Sequence, residues 1–393
     1  MSVSRIVFTP LNYVGWGSLE QLIPEVERFS PKKILVVTDP VLEKIGLVQR
    51  VIRPLTEQGY DVYVYSDVVP EPPLEIGEKL VSFTRQGRFD MVIGVGGGSA
   101  MDLAKLAAVL AVHEGPAADY LNLTGTKKVH KKGLPKILIP TTSGTGSEVT
   151  NISVLSLDTT KDVVTHDYLL ADVAIVDPEL TVSVPPRVTA ATGIDALTHA
   201  VEAYVSVNAS PTTDGLALQA IRLIARSLRK AVENGNDKQA RIDMSNGSYL
   251  AGLAFFNAGV AGVHALAYPL GGQFHIPHGE SNAVLLPYVM GYIRKSCAKR
   301  MADILNALGG NSSYLSEEED SYRCVEELER IVRDVGIPRT LGGFHIPETA
   351  LERLTQDAVK QKRLLARSPL PLLEDDIRAI YRAAFDGVVA EPR

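Results

Sequence analysis

Two hydrophobic patterns divide the chain. In the first half, short apolar and β-branched runs alternate with segments of helical periodicity. Residues 33–38 read Lys-Ile-Leu-Val-Val-Thr and stop at Asp39-Pro40, and further strands are predicted over 60–65, 90–95, 135–140 and 173–176. Segment 73–80 has apolar residues two and four apart and opens a helix. Short strands alternating with helices predict a mainly parallel sheet covered on both faces, with ligands held beyond the carboxyl ends of its strands. The pattern changes at Pro185-Pro186. Beyond it, 188–204, 213–233 and 239–256 carry long helical periodicities, and little resembles a strand. The expected organisation is therefore an α/β domain over 1–185 followed by a helical domain over 186–393. The acidic run 316–320 fits a solvated loop or a first helical turn, where carboxylates favour the helix dipole.

Composition narrows the function classes. A chain of 393 residues with 45% apolar and 22% charged residues can fill a core in each of about two domains without disulfides. Cys297 and Cys324, the only two cysteines, make neither a disulfide framework nor a four-thiolate zinc site. A net charge of -6 without a basic block argues against nucleic acid as a partner. The N-terminus lacks a signal-peptide pattern and no apolar stretch approaches ~18 residues, so no membrane association and a cytoplasmic location are expected.

Two stretches carry candidate phosphate chemistry. Gly94-Val95-Gly96-Gly97-Gly98-Ser99 lies where a buried strand should become a helix, and glycines there permit close backbone approach while free helix amides receive a pyrophosphate. It is neither a Walker A loop nor the usual dinucleotide fingerprint. The second stretch, Thr141-Thr142-Ser143-Gly144-Thr145-Gly146-Ser147-Glu148, also follows a strand; its hydroxyls serve a cofactor or their own turn. Asp39 either caps a helix or accepts from an adenosine ribose hydroxyl, where its charge would favour NAD over NADP. Lys161 either neutralises phosphate or is surface charge.

Metal chemistry is the other candidate. Asp195 and His199 are four apart in a predicted helix and so share a face. With His264 and His278 they would form a set of one carboxylate and three imidazoles that suits Fe2+ or Zn2+. A metal-free alternative uses Glu148, Asp195 and Glu202 as acid/base groups, and Glu202 could instead orient a ligating histidine. No Gly-x-Ser-x-Gly elbow occurs, which ranks covalent acyl transfer low.

Four stretches together, 96–105 (Gly-Gly-Gly-Ser-Ala-Met-Asp-Leu-Ala-Lys), 141–150, 191–204 (Ala-Thr-Gly-Ile-Asp-Ala-Leu-Thr-His-Ala-Val-Glu-Ala-Tyr) and 263–279 (Val-His-Ala-Leu-Ala-Tyr-Pro-Leu-Gly-Gly-Gln-Phe-His-Ile-Pro-His-Gly), resemble the iron-dependent, group III alcohol dehydrogenase family. The resemblance implies a dehydroquinate synthase-like fold: an α/β N-terminal dinucleotide-binding domain, an all-helical metal-binding domain and a substrate cleft between them. It implies Asp195, His199, His264 and His278 as ligands of Fe2+, with Zn2+ the alternative. Gly97, Gly98, Ser99, Asp102, Thr141, Thr142, Thr145, Lys161 and Leu180 become cofactor-side residues and Asp39 the ribose acceptor, with Asn151 and Phe256 near the cofactor or substrate. The implied reaction moves a hydride between a small primary alcohol or diol and NAD, the metal polarising the substrate oxygen, in a homodimer or larger homo-oligomer. In this sequence Tyr268 stands where better-known members have a histidine assigned to proton relay. Tyrosine, with an ordinary pKa near 10, is a poorer shuttle at neutral pH, which leaves Tyr268, His275, solvent or a ribose hydroxyl for the proton. A maleylacetate-type reductase, a hydroxyacid-oxoacid transhydrogenase, a polyol dehydrogenase and a dehydroquinate-synthase-like lyase are the alternative activities.

Overall fold

Among the described residues, eight strands account for the alternating half: β1 (Asn12–Val14), β2 (Lys33–Val37), β3 (Asp61–Tyr65), β4 (Met91–Gly96), β5 (Lys136–Pro140), β6 (Ile152–Ser156), β7 (Lys161–Thr165) and β8 (Val173–Val176). Six of them form one sheet in the order β1-β8-β5-β4-β2-β3, parallel at every pairing. The central strands β4, β5 and β8 are buried along their whole length, as expected of parallel strands covered on both faces. Apolar side chains of alternating parity fill two layers: Leu35, Val37, Val92 and Leu138 on one face, Ile34, Val36, Ile93 and Ile137 on the other. The computed structural model describes residues 3–157, 160–311 and 316–391.

The five predicted strands are present, and three more were not foreseen. β1 has only three residues, all half-buried, too short for a periodic signal. β6 and β7 pair antiparallel as a separate two-stranded sheet, with Ile152 opposite Thr165 and Ser156 opposite Lys161. Crossing from β4 to the helix Gly98–Leu110 takes a single residue, Gly97.

Among the described residues, the second half contains helices and no strand. The principal ones are Pro186–Val205, Pro211–Glu233, Lys238–Ala258, Gly262–Phe274 and His278–Ile293. Their starts follow local chemistry. Pro186 and Pro211 occupy first-turn positions where a missing N–H costs nothing, Ser210 and Thr213 form a capping box, and Asp237 accepts from Ala240 N–H at 2.9 Å. Helix Pro186–Val205 is buried on nearly every side, so its sequence lacks a polar face. The acidic run proves to be a first helical turn: Ser316 and Glu319 form a capping box at the start of Glu317–Asp334. No single described helix is long and apolar enough to cross a membrane.

The chain divides into two compact units. One is Phe8–Ser183; the other begins at Val184 and, among the described residues, includes 3–7. The N-terminal edge of the α/β unit therefore differs from the expected residue 1. The reason is a paired amide contact within the helical unit: Val7 N–H donates to Asn257 Oδ1 at 2.7 Å, and Asn257 Nδ2 donates back to Val7 O at 3.0 Å.

Candidate metal centre and dinucleotide cradle

Asp195 and His199, one turn apart on Pro186–Val205, meet His264 from the first turn of Gly262–Phe274 and His278 from the first residue of His278–Ile293. One ligand atom from each of the four lies within 4.8 Å of the others. Three of these residues are buried and His278 is half-buried. His199 Nε2 and His278 Nε2 stand 3.9 and 3.7 Å from Asp195 Oδ1. Burial alone would raise the Asp195 pKa; the charges of His199, His278 and His264 and a hydrogen bond from Asn282 outweigh it and hold the carboxyl below its ordinary value.

Surrounding side chains fix these groups. Glu202, fully buried, accepts from Val263 N–H at 2.6 Å with one oxygen and faces His264 Nδ1 at 2.5 Å with the other. This selects the tautomer with the proton on Nδ1 and aims the Nε2 lone pair at the cluster. Phe255 stacks on the His199 ring at a centroid distance of 4.2 Å. Gly279 is required beside His278, because a Cβ there would overlap the carbonyl of Ala191 on the Asp195 helix. The same two helices are tied by Arg187 Nε to Glu280 Oε1 at 2.8 Å. One carboxylate and three imidazoles, convergent and buried, fit a divalent ion such as Fe2+ or Zn2+. Of the carboxylates in the metal-free alternative, Glu202 is committed to Val263 and His264, and Glu148 belongs to the α/β unit.

Of the two proton-relay candidates, Tyr268 is buried with its ring 6.1 Å from that of His278. His275 is exposed and ends the same helix in a left-handed conformation, φ 54°. Sequence reasoning missed Arg367. Its side chain packs over Gly259, where no Cβ would fit; burial lowers its pKa, with Tyr268 and Glu202 acting in opposition.

In the α/β unit, Gly96 (φ 153°) and Gly97 lead into Gly98–Leu110, whose start has no side-chain cap. Thr141 N–H donates to Gly96 O at 2.9 Å, joining the two loops. A Cβ on Gly98 would stand 2.8 Å from Thr145 Cγ2, and one on Gly97 3.5 Å from Thr142 Oγ1. Gly97, Gly98, Ser99, Thr141, Thr142 and Thr145 thus converge on one uncapped helix N-terminus, a cradle suited to a pyrophosphate. Asp39 does cap Pro40–Lys44, Oδ1 accepting from Val41 and Leu42 N–H at 2.9 and 3.0 Å. Its Oδ2 lies 3.6 Å from the Cβ position of Gly96, beside the glycine loop.

Other expected cofactor residues have protein partners. Asp102 accepts from Ser147 Oγ and from Val154 N–H and pairs with Lys105 Nζ at 2.9 Å, bracing the helix against the loop. Lys161 is buried and paired with Glu71. Asn151 Nδ2 donates to Asp167 Oδ1 at 3.0 Å, and Leu180 lies in the apolar layer with Val95 and Ile175. Lys105 and Ser147 carry the brace and were missed as such.

Comparison with known proteins identifies the family. Residues 10–178 match the model of the iron-containing alcohol dehydrogenases, and 189–385 match the C-terminal model of the Fe-containing alcohol dehydrogenase family. The chain is 82% identical to long-chain-alcohol dehydrogenase 1 of Geobacillus thermodenitrificans, covering 100% of this chain and 99% of that protein. It is 37% identical to the NAD-dependent methanol dehydrogenase of Bacillus methanolicus over 97% of this chain and 100% of the relative. The crystal structure of a 1,3-propanediol oxidoreductase superimposes with a TM-score of 0.94 at 37% identity, covering 98% of this chain and 100% of that one. The chain belongs to the iron-containing alcohol dehydrogenase family and is an alcohol dehydrogenase.

Proposed function

We propose that this enzyme interconverts long-chain primary alcohols and their aldehydes with NAD, at a ferrous centre held by Asp195, His199, His264 and His278. The observation that carries the substrate is the 82% identity, over the full length, to a long-chain-alcohol dehydrogenase; it extends the expected small alcohol toward longer chains. The bound groups supply Lewis-acid polarisation of the alcohol oxygen and a hydride acceptor. This chain's residues hold and orient them. Glu202 keeps the His264 Nε2 lone pair directed at the cluster, and the negative charge of Asp195 is stabilised by the imidazoles around it. The amides at the start of Gly98–Leu110 receive the pyrophosphate, and Asp39 Oδ2 accepts from the ribose while repelling a 2′-phosphate, which favours NAD over NADP. Tyr268, beside His278, is the better placed of the two side chains for the proton. Zn2+ fits the same donors and is the second reading for the metal.

Steady-state kinetics on the iron-loaded enzyme, from ethanol to hexadecanol, test the proposal. We expect kcat/KM to rise by roughly 4-fold per buried methylene, from ~0.8 kcal/mol each, until the pocket is filled. His264→Ala should lose bound metal and fall to the background rate. A profile that peaks at a short diol would overturn the long-chain assignment, and full activity in metal-free His264→Ala would remove the metal centre.

A further inference from the structure

Asn282 is fully buried on His278–Ile293, one turn beyond His278. Its carboxamide nitrogen donates to Asp195 Oδ1 at 2.7 Å and lies 3.1 Å from His264 Nε2 and 3.2 Å from His278 Nε2. The other end of the same group, Oδ1, is buried without a hydrogen-bond partner among the described residues. An orphaned carbonyl oxygen is costly, and an apolar side chain would fill this volume without that cost. The amide stands there despite that penalty, and what it offers is an NH2 group, two N–H bonds, within hydrogen-bond distance of Asp195 Oδ1, His264 Nε2 and His278 Nε2.

Those three acceptors differ once a cation is present. The imidazole lone pairs are then directed at the ion, whereas the Asp195 carboxylate has lone pairs to spare and continues to accept. The geometry points to Asn282 as a positioning residue of the metal centre: its N–H holds the Asp195 carboxylate in the orientation that faces the three imidazoles, in the metal-free and the loaded enzyme alike. An amide does this without charge. A carboxylate at 282 would lack the donor, repel Asp195, and cancel the net positive charge that a divalent ion keeps against one aspartate. The inference rests on the four-residue ligand set proposed above.

The test uses the metal-stripped full-length enzyme. Co2+ is titrated in and read by its visible d–d absorption, and Zn2+ affinity is measured by competition with a chromophoric chelator. Wild type should take up one equivalent and His264→Ala none; uptake that survives His264→Ala overturns the ligand set and this role with it. With the ligand set upheld, Asn282→Ala should weaken Zn2+ binding by about 10- to 100-fold and shift the Co2+ band, because Asp195 loses its fixed orientation. Asn282→Asp keeps the volume and removes the donor, and should shift the band as well. It decides the matter alone if Asn282→Ala does not fold. Unchanged Zn2+ affinity together with superimposable Co2+ spectra overturns the role of Asn282 while leaving the four ligands in place.

Discussion

Asp102, Lys105 and Glu148 put three ionisable side chains inside the α/β unit, and their arrangement makes stability depend on pH. Lys105 Nζ reaches Asp102 Oδ1 at 2.9 Å, Ser147 O at 3.0 Å and Thr150 Oγ1 at 3.2 Å, so its charge is satisfied although burial pushes its pKa down. For Glu148 burial dominates, and its pKa is pushed up from 4.5 to about 7 despite Lys105 nearby. Between these two values the folded chain holds a proton that the unfolded chain has lost. Stability therefore declines as pH rises through this window, and the whole penalty, up to ~3 kcal/mol, applies above it. Glu148→Gln mimics the protonated acid. We expect its melting temperature to gain on wild type at pH 8 and to match it at pH 5; an equal difference at both pH values would show that Glu148 does not titrate in the folded enzyme. Only the local half of this brace is open to sequence reading, Asp102 and Lys105 standing three apart on a largely apolar helix, and assigning Asp102 to the cofactor side misses it. What they hold is not legible, because Ser147 lies 42 residues from Lys105 and 45 from Asp102.

At the scale of elements, the loop between β4 and Gly98–Leu110 works by proximity. Gly98 leaves just enough room for Thr145, since an added Cβ would lie 2.8 Å from Thr145 Cγ2 and 3.0 Å from its Oγ1. Gly98→Ala must push the threonine loop away or tilt the helix start, and either change spoils the cradle. We expect NADH affinity, read by fluorescence titration, to fall at least ~10-fold, about 1.4 kcal/mol. Ser99→Ala keeps every backbone amide and should cost much less; equal losses in the two variants would assign recognition to the Ser99 hydroxyl. These loops were legible because each follows a buried strand directly, so local pattern and glycine content coincide. β1 and the β6–β7 hairpin were not, because three half-buried residues carry no period and because the pairing of Ile152–Ser156 with Lys161–Thr165 is a tertiary outcome. The proposed metal ligands are intermediate: the i, i+4 pair Asp195 and His199 is local, whereas His264 and His278 join it through the packing that Gly279 and Glu202 permit.

Across the whole molecule, the two candidate sites belong to different compact units. The α/β unit packs two apolar layers on its sheet, and the helical unit has a core of its own around Leu197, Ile224, Leu266 and Val289. All four proposed metal ligands, with Glu202 and Asn282 beside them, lie in the helical unit; the glycine and threonine loops lie entirely in the other. A ligand stabilises the structure that forms its site, by about 2.7 kcal/mol at a free concentration 100 times its Kd. Zn2+ added to the metal-free enzyme should therefore slow amide hydrogen exchange in 186–205 and 262–293, where the ligand-bearing helices run. NADH should instead protect residues 94–110 and 141–151, the strand end, helix start and threonine loop of the cradle. Hydrogen exchange with mass spectrometry resolves these segments separately. If NADH protected nothing within 94–110 or 141–151, the cradle assignment would fall, and if Zn2+ left 186–205 and 262–293 unprotected, the metal assignment would fall; neither result would rescue the other, because the two sets of residues share no element.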